Sequence, residues 1–261
     1  MKTLYKHVHI VVDDRREYLD GSILINDQYI EDVFVQSNRN IDEDCKVVDM
    51  KNKIFIPSFF DSKSKSTKQK GVLKKYICSD KVLEQETHLL IDKDIKETNN
   101  ICAITFTNNY KKINSIKTLC SPNNNFIDNV DGISDITALK SLSFDNTNML
   151  NYALSNKCFC EFGIDDSISD EYIKFILKNI DVSNLTLVSY NHDDFDKQIK
   201  RLHNLNIPLV DIVALSSYNA LKFYGQDKLE GSLIKGKLAN IVCLDEDMNI
   251  EFVLCKGEKD A

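Results

Sequence analysis

The sequence predicts an α/β protein with β structure at both chain ends, and three observations carry that reading. The first 56 residues hold short apolar runs separated by polar turns, the pattern of small strands. Between residues 57 and 228, apolar runs of strand length alternate with stretches of helical spacing, which implies a parallel sheet or barrel. From Leu229 the strand pattern returns, so the two ends are expected to pair into one small β unit.

Composition bounds the function. Hydrophobic residues make up 43% and charged residues 28% of the 261 positions, ordinary for a globular chain with a sizeable core. The formal net charge of −7 argues against nucleic acid or an anionic membrane as partner. No apolar run approaches the length of a membrane span. MKTLYKH passes straight into VHIVV without a signal region, so the cytoplasm is the expected compartment. The 8 cysteines then read as reduced. Cys158 and Cys160, two apart, share one face of a strand and read as core thiols rather than a metal pair. Only 8 glycines and 3 prolines are present, few for loops that wrap backbone around phosphate.

In chain order, strands are expected at 7–12, 21–25, 29–35 and 47–50, with a tight turn at Asn26-Asp27. Together they form an antiparallel unit. Residues 54–60 are almost wholly apolar, as a strand buried on both faces would be. A helix is expected over 82–95, a strand over 101–106, a short helical or irregular piece over 110–118, a helix or strand–helix junction over 133–142 and a helical turn over 149–154. Strand 157–162 then precedes an amphipathic helix over 169–179, with Tyr172, Ile173, Ile176 and Leu177 on one side. Asp170 and Glu171 suit its first turn. Strand 185–188 and helices over 194–205 and 209–221 follow, then strands at 240–244 and 250–255.

Three stretches resemble the amidohydrolase superfamily, within it the N-acetylglucosamine-6-phosphate deacetylase branch. They are GSILINDQYIEDV with VVDMKNKIFIPSFFDS, then LTLVSY, and LSSYNALKFYGQDKLEGSLIKGKLANIVCLDEDMNI. The resemblance implies a (β/α) TIM-type barrel over 57–228 and a small β-sandwich from 1–56 with 229–261. It implies an active site at the C-terminal ends of the barrel strands. A divalent metal there would activate water for amide hydrolysis, with a strand-end aspartate as base. A homodimer is a further implication.

The residues at those positions depart from the pattern. After Asp61, the two ligand histidines are replaced by Lys63 and Lys65, whose ammonium groups have no lone pair for a metal. Ala138 stands at a third histidine position, Ser167 in the substrate segment and Tyr190 at the catalytic aspartate. Only five histidines exist, His7, His9, His88, His192 and His203, so a shifted alignment does not restore the set. The span from Pro57 to Lys228 is roughly 170 residues, against roughly 200 or more for eight βα units, so the barrel is expected to be incomplete or eroded. The reading is a deacetylase-like protein without metal-dependent activity, no catalytic or metal residues and no cofactor. The alternative is an active amino-sugar hydrolase with a rebuilt site at His192, Asp193 or Asp194, zinc being expected only then. Asp193 or Asp194 also reads as the cap of the following helix. The lysine-rich run from Lys63 to Lys75 reads as a solvated loop or as a site for a sugar phosphate or other small anion.

Overall fold

The computed structural model describes residues 2–35, 44–61, 72–75, 103–106, 117–120, 151, 154–155, 159–164, 166, 168–188, 195–223 and 225–259. The chain divides into two compact units: Met1–Phe60 with Lys68–Lys74 and Asp193–Ala261, and Asp61–Thr67 with Lys75–His192.

The first unit is built on β1 (Lys2–Val11), β2 (Glu17–Asn26), β3 (Tyr29–Val35), β4 (Lys46–Asp49) and β5 (Ile54–Pro57). β1, β2 and β3 form an antiparallel meander. The tight turn falls one residue later than expected: Asn26 pairs with Tyr29, and Asp27 takes the positive φ, +51°. Asp tolerates that conformation because its short side chain can bond locally. The unit is not wholly antiparallel, because β4 and β5 both run parallel to β1.

The apolar run over 54–60 is not one strand. β5 ends at Pro57, and β6 (Phe59–Asp61) begins after Ser58. Proline has no N–H to extend the ladder. Ser58 N donates to Asn240 O at 3.0 Å. β5 stays in the large sheet, whereas β6 pairs with β7 (Val72–Lys75).

Elsewhere, β8 (Ala103–Phe106) pairs in parallel with β9 (Lys117–Cys120), a strand that begins at the end of the piece expected over 110–118 and runs past it. β10 (Cys160–Phe162) pairs in parallel with β11 (Leu185–Leu187). Helix α1 (Asp170–Asn179) connects them, as a parallel pair requires a crossover. Its buried side is Tyr172, Ile173 and Ile176, and its N-cap Ser169 accepts from Tyr172 N at 3.2 Å. The expectations at 82–95 and 133–142 lie outside the described residues, as does Cys158; Cys160 is buried.

Helix α2 (Phe195–Asn204) buries Phe195, Ile199 and Leu202. The next helix is interrupted: α3 (Leu209–Val213), a π turn at Ala214–Tyr218, then α4 (Asn219–Phe223). β12 (Ile241–Leu244), β13 (Ile250–Cys255) and β14 (Glu258–Lys259) complete the large sheet. Its order is β14-β13-β12-β5-β1-β2-β3, with β4 added on β1. Ile25 and Ile30 share a buried cluster with Ile241 and Leu254 from the other side of that order. Ile30 N donates to Lys237 O at 2.8 Å, which ties β3 to the segment leading into β12. Phe55 lies at the centre, edge-on to Tyr5 at 5.3 Å and to Phe252 at 6.1 Å.

Candidate functional site

Asp61 is the last residue of β6 and is fully buried, with Phe59 and Phe60 before it. A buried carboxylate is retained only when polar groups offset its desolvation. Two further buried polar side chains of the same unit stand on parallel strands: Glu161 in β10, 1% exposed, and Thr186 in β11, 0% exposed. Glu161 and Thr186 are register partners, so they share one face of the pair. The apolar residues Cys160, Phe162, Leu185 and Leu187 occupy the other face, the one suited to the apolar side of α1. Sequence reasoning passed over Glu161 and Thr186. No motif marks them, and a three-residue strand is too short for its alternation to stand out.

Of the positions assigned by the resemblance or offered for a rebuilt site, only Asp61 is described, and the end of the lysine-rich run, Lys74 and Lys75, falls in β7. Lys63, Lys65, Ala138, Ser167, Tyr190, His192, Asp193 and Asp194 lie outside the described residues. The donor set for the metal that the resemblance implies does not fit. Of Asp61, Lys63, Lys65 and Ala138, Asp61 alone offers a lone pair to a divalent ion at neutral pH. Among the described residues no three His, Cys, Asp or Glu side chains form a metal-holding group.

The first unit carries a groove of about 560 Å³, within the size range of small-ligand sites. His7, His9, Leu19 and Asp20 line it from the β1–β2 hairpin. Asp49, Lys51, Asn52, Lys53 and Ile54 line it from the β4–β5 connection, and Glu246 from the β12–β13 turn. His9 Nε2 lies 2.8 Å from Glu17 Oε2, and His7 Nδ1 lies 3.4 Å from Asp20 Oδ1. Lys53 donates to Glu251, which holds its ammonium above the ordinary lysine value. Asn249 bonds keep the Asp245 carboxyl below the usual carboxylate range, fixing the turn that presents Glu246. The sequence reading placed His7 and His9 in the terminal β unit and gave them no role.

No family model and no curated protein matches the sequence. Solved structures do. The N-acetylglucosamine-6-phosphate deacetylase of Thermotoga maritima superposes with a TM-score of 0.65 at 15% identity, covering 98% of this chain and 99% of that one. The corresponding deacetylase of Mycobacterium smegmatis gives 0.71 at 11%, covering 100% of both chains. The fold of this chain is similar to that of these two deacetylases along its length. A β-aspartyl dipeptidase from Fervidobacterium islandicum gives 0.61 at 11%, covering 99% of this chain and 96% of that one. Identities this low carry the fold. They do not select among the substrates of such neighbours.

Proposed function

We propose that this chain is a deacetylase-like protein that has lost metal-dependent amide hydrolysis and retains a binding or regulatory role. The observation that supports the reading is the β6 strand end. Asp61 is buried there as an amidohydrolase strand end would be, and the residues that follow are Ser62-Lys63-Ser64-Lys65. Lysines at ligand positions repel a divalent cation, and Ala138 and Tyr190 remove a third ligand and the base in the same alignment. The same lysines suit a sugar phosphate or another small anion as ligand, and a homodimer is consistent with the resemblance. The test is acetate release from N-acetylglucosamine 6-phosphate, measured with zinc, iron and manganese supplied in turn. The expected result is no turnover above the protein-free control. Metal-dependent release that follows the protein through purification would overturn it.

One observation favours a second reading, an amino-sugar hydrolase with a rebuilt site. Asp61, Glu161 and Thr186 are polar, buried and placed on strands of one unit, where an eroded shell would be expected to turn apolar. A buried carboxylate can move a proton in hydrolysis. If this reading holds, Glu161→Gln abolishes acetate release, measured with and without added zinc, while leaving the unfolding transition in place.

A further inference from the structure

We propose that the groove between the β1–β2 hairpin and the β4–β5 connection binds an aliphatic polyamine, its ammonium groups held by carboxylates and its methylenes lying on Leu19 and Ile54. None of the residues involved belongs to the positions discussed for amide hydrolysis, so the inference stands whichever reading of that site holds.

The hairpin supplies one wall. The β1–β2 register shifts between Lys6 and Val8 and again between Val8 and Ile10. At the second shift a single residue of β1, His9, stands opposite two of β2, Leu19 and Asp20. A bulge of this kind re-aims side chains. Here His9, Leu19 and Asp20 all line the groove. Leu19 is 77% exposed, the most exposed large hydrophobic side chain among the described residues. Ile54 brings a second apolar side chain to the groove from β5. A ligand with methylene groups removes such surface from water.

Charge selects the rest of the ligand. Asp20, Asp49 and Glu246 reach the groove from three separate places, β2, the end of β4 and the β12–β13 turn. Glu17 and Glu251 are further carboxylates, bonded to the lining residues His9 and Lys53. Against these stand the ammonium groups of Lys51 and Lys53, and Lys53 is engaged by Glu251. The groove is therefore short of positive charge. Its acids are also dispersed, since among the described residues no three such side chains form a group for one metal ion. Ammonium groups spaced by methylenes meet both conditions, with the charges apart and apolar chain between them. His9 adds an acceptor. A carboxylate only accepts, so the His9 Nε2 that lies 2.8 Å from Glu17 Oε2 carries the proton, and Nδ1 of the neutral ring accepts. An ammonium donates three hydrogen bonds and accepts none, which suits imidazole nitrogen and carboxylates alike.

The test is calorimetric titration of the full-length chain with spermidine at about 0.15 M salt, where attraction between distant exposed charges is screened. One spermidine per chain is expected, with the monoamine butylamine binding about tenfold or more weakly. Glu246→Lys should weaken spermidine binding about tenfold or more. Asp247→Lys makes the same change of net charge at the adjacent exposed residue, which does not line the groove, and should leave binding within about twofold. His9→Phe keeps a ring, loses the acceptor and should cost about threefold or more. Thermal unfolding without ligand, unchanged in the three variants, separates lost binding from lost folding. Equal weakening by the two lysine substitutions, butylamine binding as well as spermidine, or no saturable uptake would overturn the proposal.

Discussion

Gly236 and Gly257 both hold positive φ, +88° and +82°, yet they are not equivalent. A Cβ on Gly236 would meet nothing within 4 Å, whereas one on Gly257 would sit 2.1 Å from Asp27 O. Gly236→Ala therefore costs only the left-handed penalty, about 1–2 kcal/mol. Gly257→Ala adds a backbone clash between the β13–β14 and β2–β3 turns and should cost more than about 3 kcal/mol. Urea unfolding of the two variants checks the order. Cys243 gives a pH-dependent prediction. Burial pushes its thiol from 9.0 up to about 12. A raised folded value means that the stabilisation is fully present below pH 9 and is lost as pH rises through 12. Stability should fall over that window with a slope of at most about 1.4 kcal/mol per pH unit from this group. Cys243→Ala should remove that part of the slope, read by urea unfolding at stepped pH.

At the scale of elements, α1 and the interrupted helix make opposite predictions for serine. Ser169 caps α1 by accepting from Tyr172 N, so Ser169→Ala should cost about 1 kcal/mol. Ser216 and Ser217 are fully buried in the π turn, and among the described residues their hydroxyls have no hydrogen-bond partner. Replacing either by alanine should be neutral or stabilising by up to about 1 kcal/mol, since a desolvated hydroxyl is removed. Thermal unfolding of the three variants separates the cases. These helices also show what was legible. The spacing of Tyr172, Ile173 and Ile176 and the acidic first turn placed α1 within one residue of its observed start. Leu177, expected on the same side, is only half-buried. The π turn left no trace in the sequence, because Ser216 and Ser217 look like ordinary helix residues. The division at Ser58 was hidden too. Uniform apolarity over 54–60 reports burial but not which sheet buries each half. Glu161 was missed for a related reason. A lone acid on a short strand is set by tertiary contacts, not by local pattern.

For the whole molecule, the large sheet depends on strands from both chain ends. β12 lies between β5 and β13, pairing antiparallel with each. Removing residues 250–261 would strip β13 and β14 and expose the side of β12 that they cover. The truncated chain should lose its cooperative unfolding transition, measured by near-UV circular dichroism on heating. A sharp transition at the full-length midpoint would show instead that β1–β5 and β12 suffice. The pairing of Pro57 with Ile241 also sets a timetable for synthesis. Roughly 180 residues separate the partners, and at about 5–20 residues per second the N-terminal strands wait about 10–40 s for the strand that closes them. Through that interval the β5 edge emerging from a ribosome is an open template, which makes the nascent N-terminal segment a natural client for a chaperone that shields unpaired strands.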